Sequence, residues 1–305
     1  MAPYQSFRRR NYSVQLKTFM SVYKDRVEEL FPSVINSSEM PRKLKESMLY
    51  SLEAGGKRVR PLLVYAVLDT YGISAEKADK TACAIEFIHT YSLIHDDLPA
   101  MDDDDIRRGR PTNHRVYGEA CAVLAGDALL TQSFQLIAGD KLLSADKKVD
   151  IIAAVSEASG APGMVGGQLD DMEAEGREVD VEELEYIHAR KTGALLSVAL
   201  QAGAVIAGAP EEEQRALEAF GKHIGLSFQI KDDLLDVEGE ESEIGKPVGS
   251  DESNDKNTYV RLLGADGARE KLDYHTSMAL AELERVSGNT EVLKELTAYI
   301  SERTK

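Results

Sequence analysis

Apolar residues recur every three or four positions along the chain, as at Leu44, Met48 and Leu52 or at Leu184, Ile187 and Leu195. That spacing brings side chains to one face of an α-helix. Alternating stretches and hairpin dipeptides between β-branched runs are scarce, so the pattern predicts an all-α fold. Glycine and proline punctuate it at Gly55-Gly56, Gly72, Pro99, Gly109 to Pro111, Gly139, Ala161 to Gly163, Gly176, Gly208 to Pro210 and Gly245 to Gly249. These breaks divide the chain into roughly ten helices. The segments "PLLVYAVLDTYG", "CAVLAGDALLTQSFQLIAG" and "GALLSVALQAGAVIAG" are apolar around most of their circumference, which predicts helices buried on several sides of a large bundle. No fixed-period repeat or low-complexity linker interrupts residues 1–305, which read as a single domain. The one extended polar stretch, residues 238–257, reads as a functional loop rather than a boundary.

Charge narrows the picture. The 53 acidic and 36 basic residues give a formal charge of −17, which disfavours nonspecific binding to nucleic acid or an anionic membrane. An anionic ligand must then be held by local basic clusters or by metal ions. Cys83 and Cys121 lie in apolar stretches without ligand spacing and read as reduced core cysteines of a cytoplasmic protein. The N-terminus has a basic run at Arg8 to Arg10 with no apolar segment after it, unlike a secretory signal. No stretch is expected to match a membrane span.

Two acidic runs each follow an apolar helix. In "FQIKDDLLDV", Gln229, Asp232, Asp233 and Asp236 fall within an arc of roughly 100° on a helix. Carboxylates so placed repel one another unless hard divalent cations lie between them. In "IHTYSLIHDDLPAMDDDD", Asp96 and Asp97 end a helix that Pro99 cannot continue. If Pro99-Ala100 bulges outward, Asp102 takes the place of a carboxylate one turn on. Two such half-sites facing each other suit magnesium bridging to a diphosphate. The competing reading is that acids at helix ends are solvated faces. Neither run has the alternating acids and glycine of a calcium loop.

Basic residues could complete an anion site. "GGKRVRP" places Lys57 and Arg60 one turn apart at a helix start, where anions are favoured. His89 precedes Asp96 by two turns and shares its face, though a helix histidine can be purely structural. Arg107 and Arg108 either reach the anion or neutralise the aspartates. Lys191 and Thr192 interrupt an apolar helix, where a lysine snorkels unless partnered. Lys246 and Lys256 lie on the polar loop, placed to close over an anion.

Together "GGKRVRP", the stretch from Ile88 to His114, "VLAGDALL", "GMVGGQLDD", "ARKTGALL", "GLSFQIKDDLLDV", Gly245-Lys246 and "DKNTY" resemble the trans-isoprenyl diphosphate synthase, or polyprenyl synthetase, family. The motifs occur in family order over nearly the whole chain. The resemblance implies an all-α isoprenoid synthase fold around a deep central cavity, as a homodimer. It implies that Asp96, Asp97, Asp102, Asp232 and Asp236 hold three magnesium ions on an allylic diphosphate, with Asp233 in the motif but less directly involved. It assigns Arg107, Lys191, Thr192, Gln229, Lys246 and Lys256 to that substrate, with Lys191, Thr192 and Gln229 steadying the carbocation. Lys57, Arg60, His89 and Arg108 are assigned to isopentenyl diphosphate, and Gln168 with Asp171 to a polar pair near the metals. Tyr91 resembles the cavity floor of family members whose product stops at fifteen carbons, with Ile88 the next barrier; a tyrosine packed in the core is the rival reading. A longer-chain synthase with the same machinery and a non-catalytic subunit remain the alternatives.

Overall fold

The computed structural model describes residues 12–37, 39–238 and 256–303. Thirteen α-helices carry most of them: α1 Val14–Asn36, α2 Arg42–Leu52, α3 Val59–Thr70, α4 Asp79–Asp96, α5 Asn113–Tyr117, α6 Glu119–Ala138, α7 Ala145–Ser159, α8 Met164–Ala174, α9 Val181–His188, α10 Ala194–Ala207, α11 Glu211–Glu238, α12 Tyr259–Leu283 and α13 Glu291–Glu302. A 3₁₀ turn at Ala75–Ala78 leads into α4, and a π-helical turn at Ala189–Gly193 joins α9 to α10. The only strands among the described residues are β1 Ile106–Arg107 and β2 Arg110–Pro111, an antiparallel pair. The fold is all-α, as the periodicity predicts.

Most expected breaks fall between helices, and helices outnumber the estimate because some boundaries have weak sequence signals. Gly118 separates α5 from α6 at φ 88°, a left-handed conformation that glycine adopts freely. Pro32, by contrast, lies inside α1 without ending it. The N-terminal basic run and most of the polar loop, Lys246 included, lie outside the described residues.

The main core is built around α3, α4 and α10, most of whose residues are buried. A smaller core of Ala174, Leu184, Ile187, Ile230, Leu234, Tyr259 and Leu272 fixes α8, α9, α11 and α12 around the second acid run. Cys83 is buried and Cys121 half-buried, both as free thiols; burial pushes the Cys83 thiol well above its usual range.

The expectation for α6 needs correction. It buries Ala122, Ala125, Leu129 and Ile137 on one side but leaves Val123 39% and Leu124 58% exposed. With 20 residues and a mean hydropathy of 1.3 in its most apolar window, it is also long and apolar enough to cross a membrane by length and composition. Its small apolar residues keep that average high without any sustained leucine-rich run.

One buried charge pins the elements next to the site. Arg58, with φ 52° and a side chain 0% exposed, pairs with Glu86 at 2.7 Å and Glu28 at 2.9 Å. It also donates to the Leu52 carbonyl. A single guanidinium thus ties α1 and α4 to the end of α2 and the turn before α3.

Candidate active site

The first acid run departs from α4 as the outward bulge requires. The Asp102 amide donates to the Asp96 carbonyl at 2.9 Å, a bond residue 100 would make if the helix continued. The Leu98 carbonyl takes the Met101 and Asp103 amides at 2.8 and 3.1 Å, with Asp103 left-handed at φ 53°. Proline cannot supply the next helical bond, so the chain loops out and Asp102 returns to the helix end.

Asp97 is buried and accepts from Arg107 Nε at 2.6 Å. Burial pushes Asp97 up to about 6, against the pull of Arg107. Burial also pushes Asp96 up to about 6; Lys191 opposes this and Asp102 adds to it. Asp104 approaches Arg107 at 3.8 Å and Asp105 pairs with Arg115 at 3.0 Å. The later acids of the run therefore have local partners.

The β1–β2 hairpin aims the arginines. Its two central residues, Arg108 and Gly109, have φ 53° and 73°, the left-handed pair that matches hairpin twist. Arg108 reaches back to "GGKRVRP", where its Nη1 donates to the Gly55 carbonyl. Its guanidinium lies against Gly56, where a Cβ would meet Arg108 Cζ at 2.8 Å. Gly56 also has φ 129°, so the turn itself demands glycine.

Arg60, His89 and Arg108 form an unusually positive neighbourhood. Burial lowers Arg60 to about 10, with Glu86 opposing and Arg108 adding to the fall. Burial holds His89 well below its usual range, reinforced by Arg60, Arg108, Arg58 and Arg107. Glu86, the acid that offsets Arg60 and Arg108, is already bonded to Arg58. Arg60 Nε is buried without a partner among the described residues. Such a cluster gains from a bound anion, because an anion removes the mutual repulsion. Lys57 stands in the turn directly before it.

A cavity of about 210 Å³ is lined by Asp171, His188, Lys191, Gln229, Asp232, Asp233, Lys256, Asn257 and Thr258. The π-helical turn places Lys191 on its wall and carries Thr192 next to it; such turns often mark functional sites. Lys191 Nζ bonds Asp171 at 2.6 Å, and its next acidic neighbours are Asp96 and Asp102. It therefore stands between α8 and the first acid run. A Cβ on Gly167 of α8 would sit 2.3 Å from the Lys191 amide, so only glycine allows this approach. Gln168 precedes Asp171 on α8 and is not among the cavity-lining residues.

A chain of bonds orders the second acid run. Thr192 Oγ1 donates to Gln229 at 3.3 Å, Gln229 Nε2 donates to Asp233 at 3.0 Å, and the Tyr259 amide donates to the other Asp233 oxygen at 2.8 Å. Asn257 donates to the Ala174 carbonyl at 2.7 Å, which holds Lys256, Asn257 and Thr258 at the cavity. Asp232 pairs at 2.8 Å with Arg303, whose buried guanidinium stacks on Phe228 at 4.0 Å. Asp236 shares the helix but is buried and outside the cavity lining. Tyr91 is buried edge-on to His95 at 5.7 Å and is pushed up to about 12 by burial and then Asp96. Ile88 is buried beneath it in the same core.

Two residues escaped the sequence reading: His188 directly precedes "ARKTGALL", and Arg303 lies near the chain end without a local signal. Asn257 lies within "DKNTY" but has no role of its own in that reading.

No three metal-ligating side chains among the described residues stand close enough to hold an ion unaided. The donors nonetheless fit a hard divalent cation shared with phosphate: mutually repelling carboxylates at Asp96, Asp97 and Asp102 and a further one at Asp232 on the cavity wall, each able to contribute one or two oxygens. Carboxylates set against arginines and lysines in an all-α bundle suit multiply charged phosphate ligands. The polyprenyl synthetase family model matches residues 41–299. The chain is 52% identical to the farnesyl diphosphate synthase of Bacillus subtilis, over 95% of this chain and 98% of that one. It is 50% identical to that of Geobacillus stearothermophilus, over 95% and 97%. The crystal structure of a FPP/GFPP synthase from Zymomonas mobilis superposes with a TM-score of 0.83 at 37% identity, covering 94% of this chain and 99% of that one. The chain belongs to the polyprenyl synthetase family, whose members depend on a divalent cation.

Proposed function

We propose that this protein condenses isopentenyl diphosphate head-to-tail with dimethylallyl diphosphate and then geranyl diphosphate, releasing farnesyl diphosphate. The observation that carries this reading is the presence of two differently charged regions: the Arg60, His89 and Arg108 cluster with surplus positive charge, and the acid-lined region around Lys191. One diphosphate can bind through cations alone, while the other needs metal.

In this reading Lys57, Arg60, His89 and Arg108 hold isopentenyl diphosphate. Arg107, Lys191, Thr192, Gln229, Lys246 and Lys256 hold the allylic diphosphate, and Asp96, Asp97, Asp102, Asp232 and Asp236 hold three magnesium ions. Bound magnesium supplies charge neutralisation to the departing diphosphate. The chain's own cations, paired with Asp97 and Asp171 before ligands arrive, add hydrogen bonds to the same anion. The oxygens of Thr192 and Gln229 face the carbocation's positive charge, the apolar core excludes water from it, and the departing diphosphate takes the proton.

We assign the exposed apolar face of α6, with Val123 and Leu124 beside Asp127, to a second copy in a cytoplasmic homodimer. A charged residue on that face and a net charge of −17 disfavour lipid.

The test is to incubate isopentenyl diphosphate with dimethylallyl diphosphate, with and without magnesium, and measure chain length. A magnesium-dependent fifteen-carbon product is expected. A twenty-carbon product points to the longer-chain alternative, and absence of turnover to a non-catalytic subunit. Tyr91→Ala should extend the product; an active variant with unchanged product removes Tyr91 from the role.

A further inference from the structure

His188 lines the 210 Å³ cavity and is only 5% exposed, yet neither ring nitrogen has a hydrogen-bond partner among the described residues. A buried donor without a partner is destabilising, and an unsatisfied group in a native structure calls for an explanation. Packing alone does not provide one. The ring stacks on Tyr259 with centroids 5.8 Å apart and 28° between planes, a contact that a phenylalanine would make equally well.

The surroundings indicate what the imidazole meets. Its charged neighbours are Asp171 and Lys191, the pair joined at 2.6 Å on the cavity wall. Lys256, Gln229, Asp232, Asp233, Asn257 and Thr258 complete the polar lining. Burial holds the ring down at about 4, Lys191 lowering it further and Asp171 opposing, so the imidazole is neutral near pH 7. A neutral ring keeps one N–H to donate, and an oxyanion drawn in by Lys191 and Lys256 is the natural acceptor.

We infer that His188 is a further ligand-binding residue of this cavity, donating a ring N–H to an oxygen of the diphosphate that Lys191 holds. The inference rests on the allylic-diphosphate reading of the cavity, and its test separates the two. Inorganic pyrophosphate with magnesium is titrated calorimetrically into the full-length protein and its variants. His188→Phe keeps the stack on Tyr259 and should weaken pyrophosphate binding about tenfold. His188→Asn or His188→Gln, whichever places its amide at the donating nitrogen, should recover most of that loss. In turnover, His188→Phe should raise KM for the allylic substrate and leave KM for isopentenyl diphosphate unchanged.

Wild-type affinity in His188→Phe, or an equal loss in all three variants, would overturn the inference. Ring ¹⁵N signals of His188 in the unsubstituted protein provide a measurement independent of variant folding: they should shift on adding magnesium pyrophosphate, and unchanged signals sink the idea. If Lys191→Ala binds pyrophosphate as tightly as wild type, the reading of the cavity itself fails. If Lys191→Ala weakens binding and His188→Phe does not, only the role of His188 falls.

Discussion

At the scale of single residues, Asp96 and Asp97 show how burial and function oppose each other. Both are held up at about 6 by burial, against an unfolded value near 3.9. In metal-free protein their raised values favour the fold at low pH: the contribution is complete below about 4 and is lost as pH rises through about 6. Metal binding runs the other way, because a divalent ion competes with the same protons. Lowering the pH from about 7.5 to about 5.5 should therefore weaken magnesium binding in the presence of pyrophosphate several-fold. Calorimetry at the two pH values checks this, and equal affinities would mean these carboxylates do not ligate the ion. The motif residues were legible in the sequence because their spacing is local. Which nitrogen each acid meets was not, since Arg303 lies far from Asp232 along the chain and meets it only through the packing of α13 on α11.

At the scale of elements, the turn before α3 and the β1–β2 hairpin depend on each other. Arg108 reaches Gly55 and lies against Gly56, while Arg58 locks the turn to α1 and α4 through Glu28 and Glu86. Arg58→Gly relieves the left-handed backbone and so isolates the charge. It should destabilise the protein by about 3–5 kcal/mol, because Glu86 is left buried without its cation. Denaturant unfolding measures this, and a loss below about 1 kcal/mol would show that Glu86 finds another partner. The sequence reading of "GGKRVRP" singled out Lys57 and Arg60 and passed over Arg58. Three basic residues in four positions differ only in direction, which periodicity cannot resolve through a left-handed residue.

At the scale of the whole molecule, α6 carries the largest departure from expectation. Its apolar circumference predicts burial on several sides, yet Val123 and Leu124 face outward. A second copy covering that face would complete the burial. Leu124→Asp should then convert a dimer into monomers in analytical ultracentrifugation while leaving the helical signal intact. A dimer that persists places the seam elsewhere.

The amino-acid sequence by itself determined the all-α class, most helix boundaries and the two acid runs. Each follows from spacing, proline chemistry or glycine conformation acting over a few residues. The tertiary structure alone decided that Arg58 ties the fold together while Arg60 joins His89 and Arg108, that Asp233 answers to Gln229 and Tyr259, and that His188 stands beside Lys191 with no hydrogen-bond partner among the described residues. Those outcomes depend on which distant elements meet, and burial then sets the charge each side chain can carry.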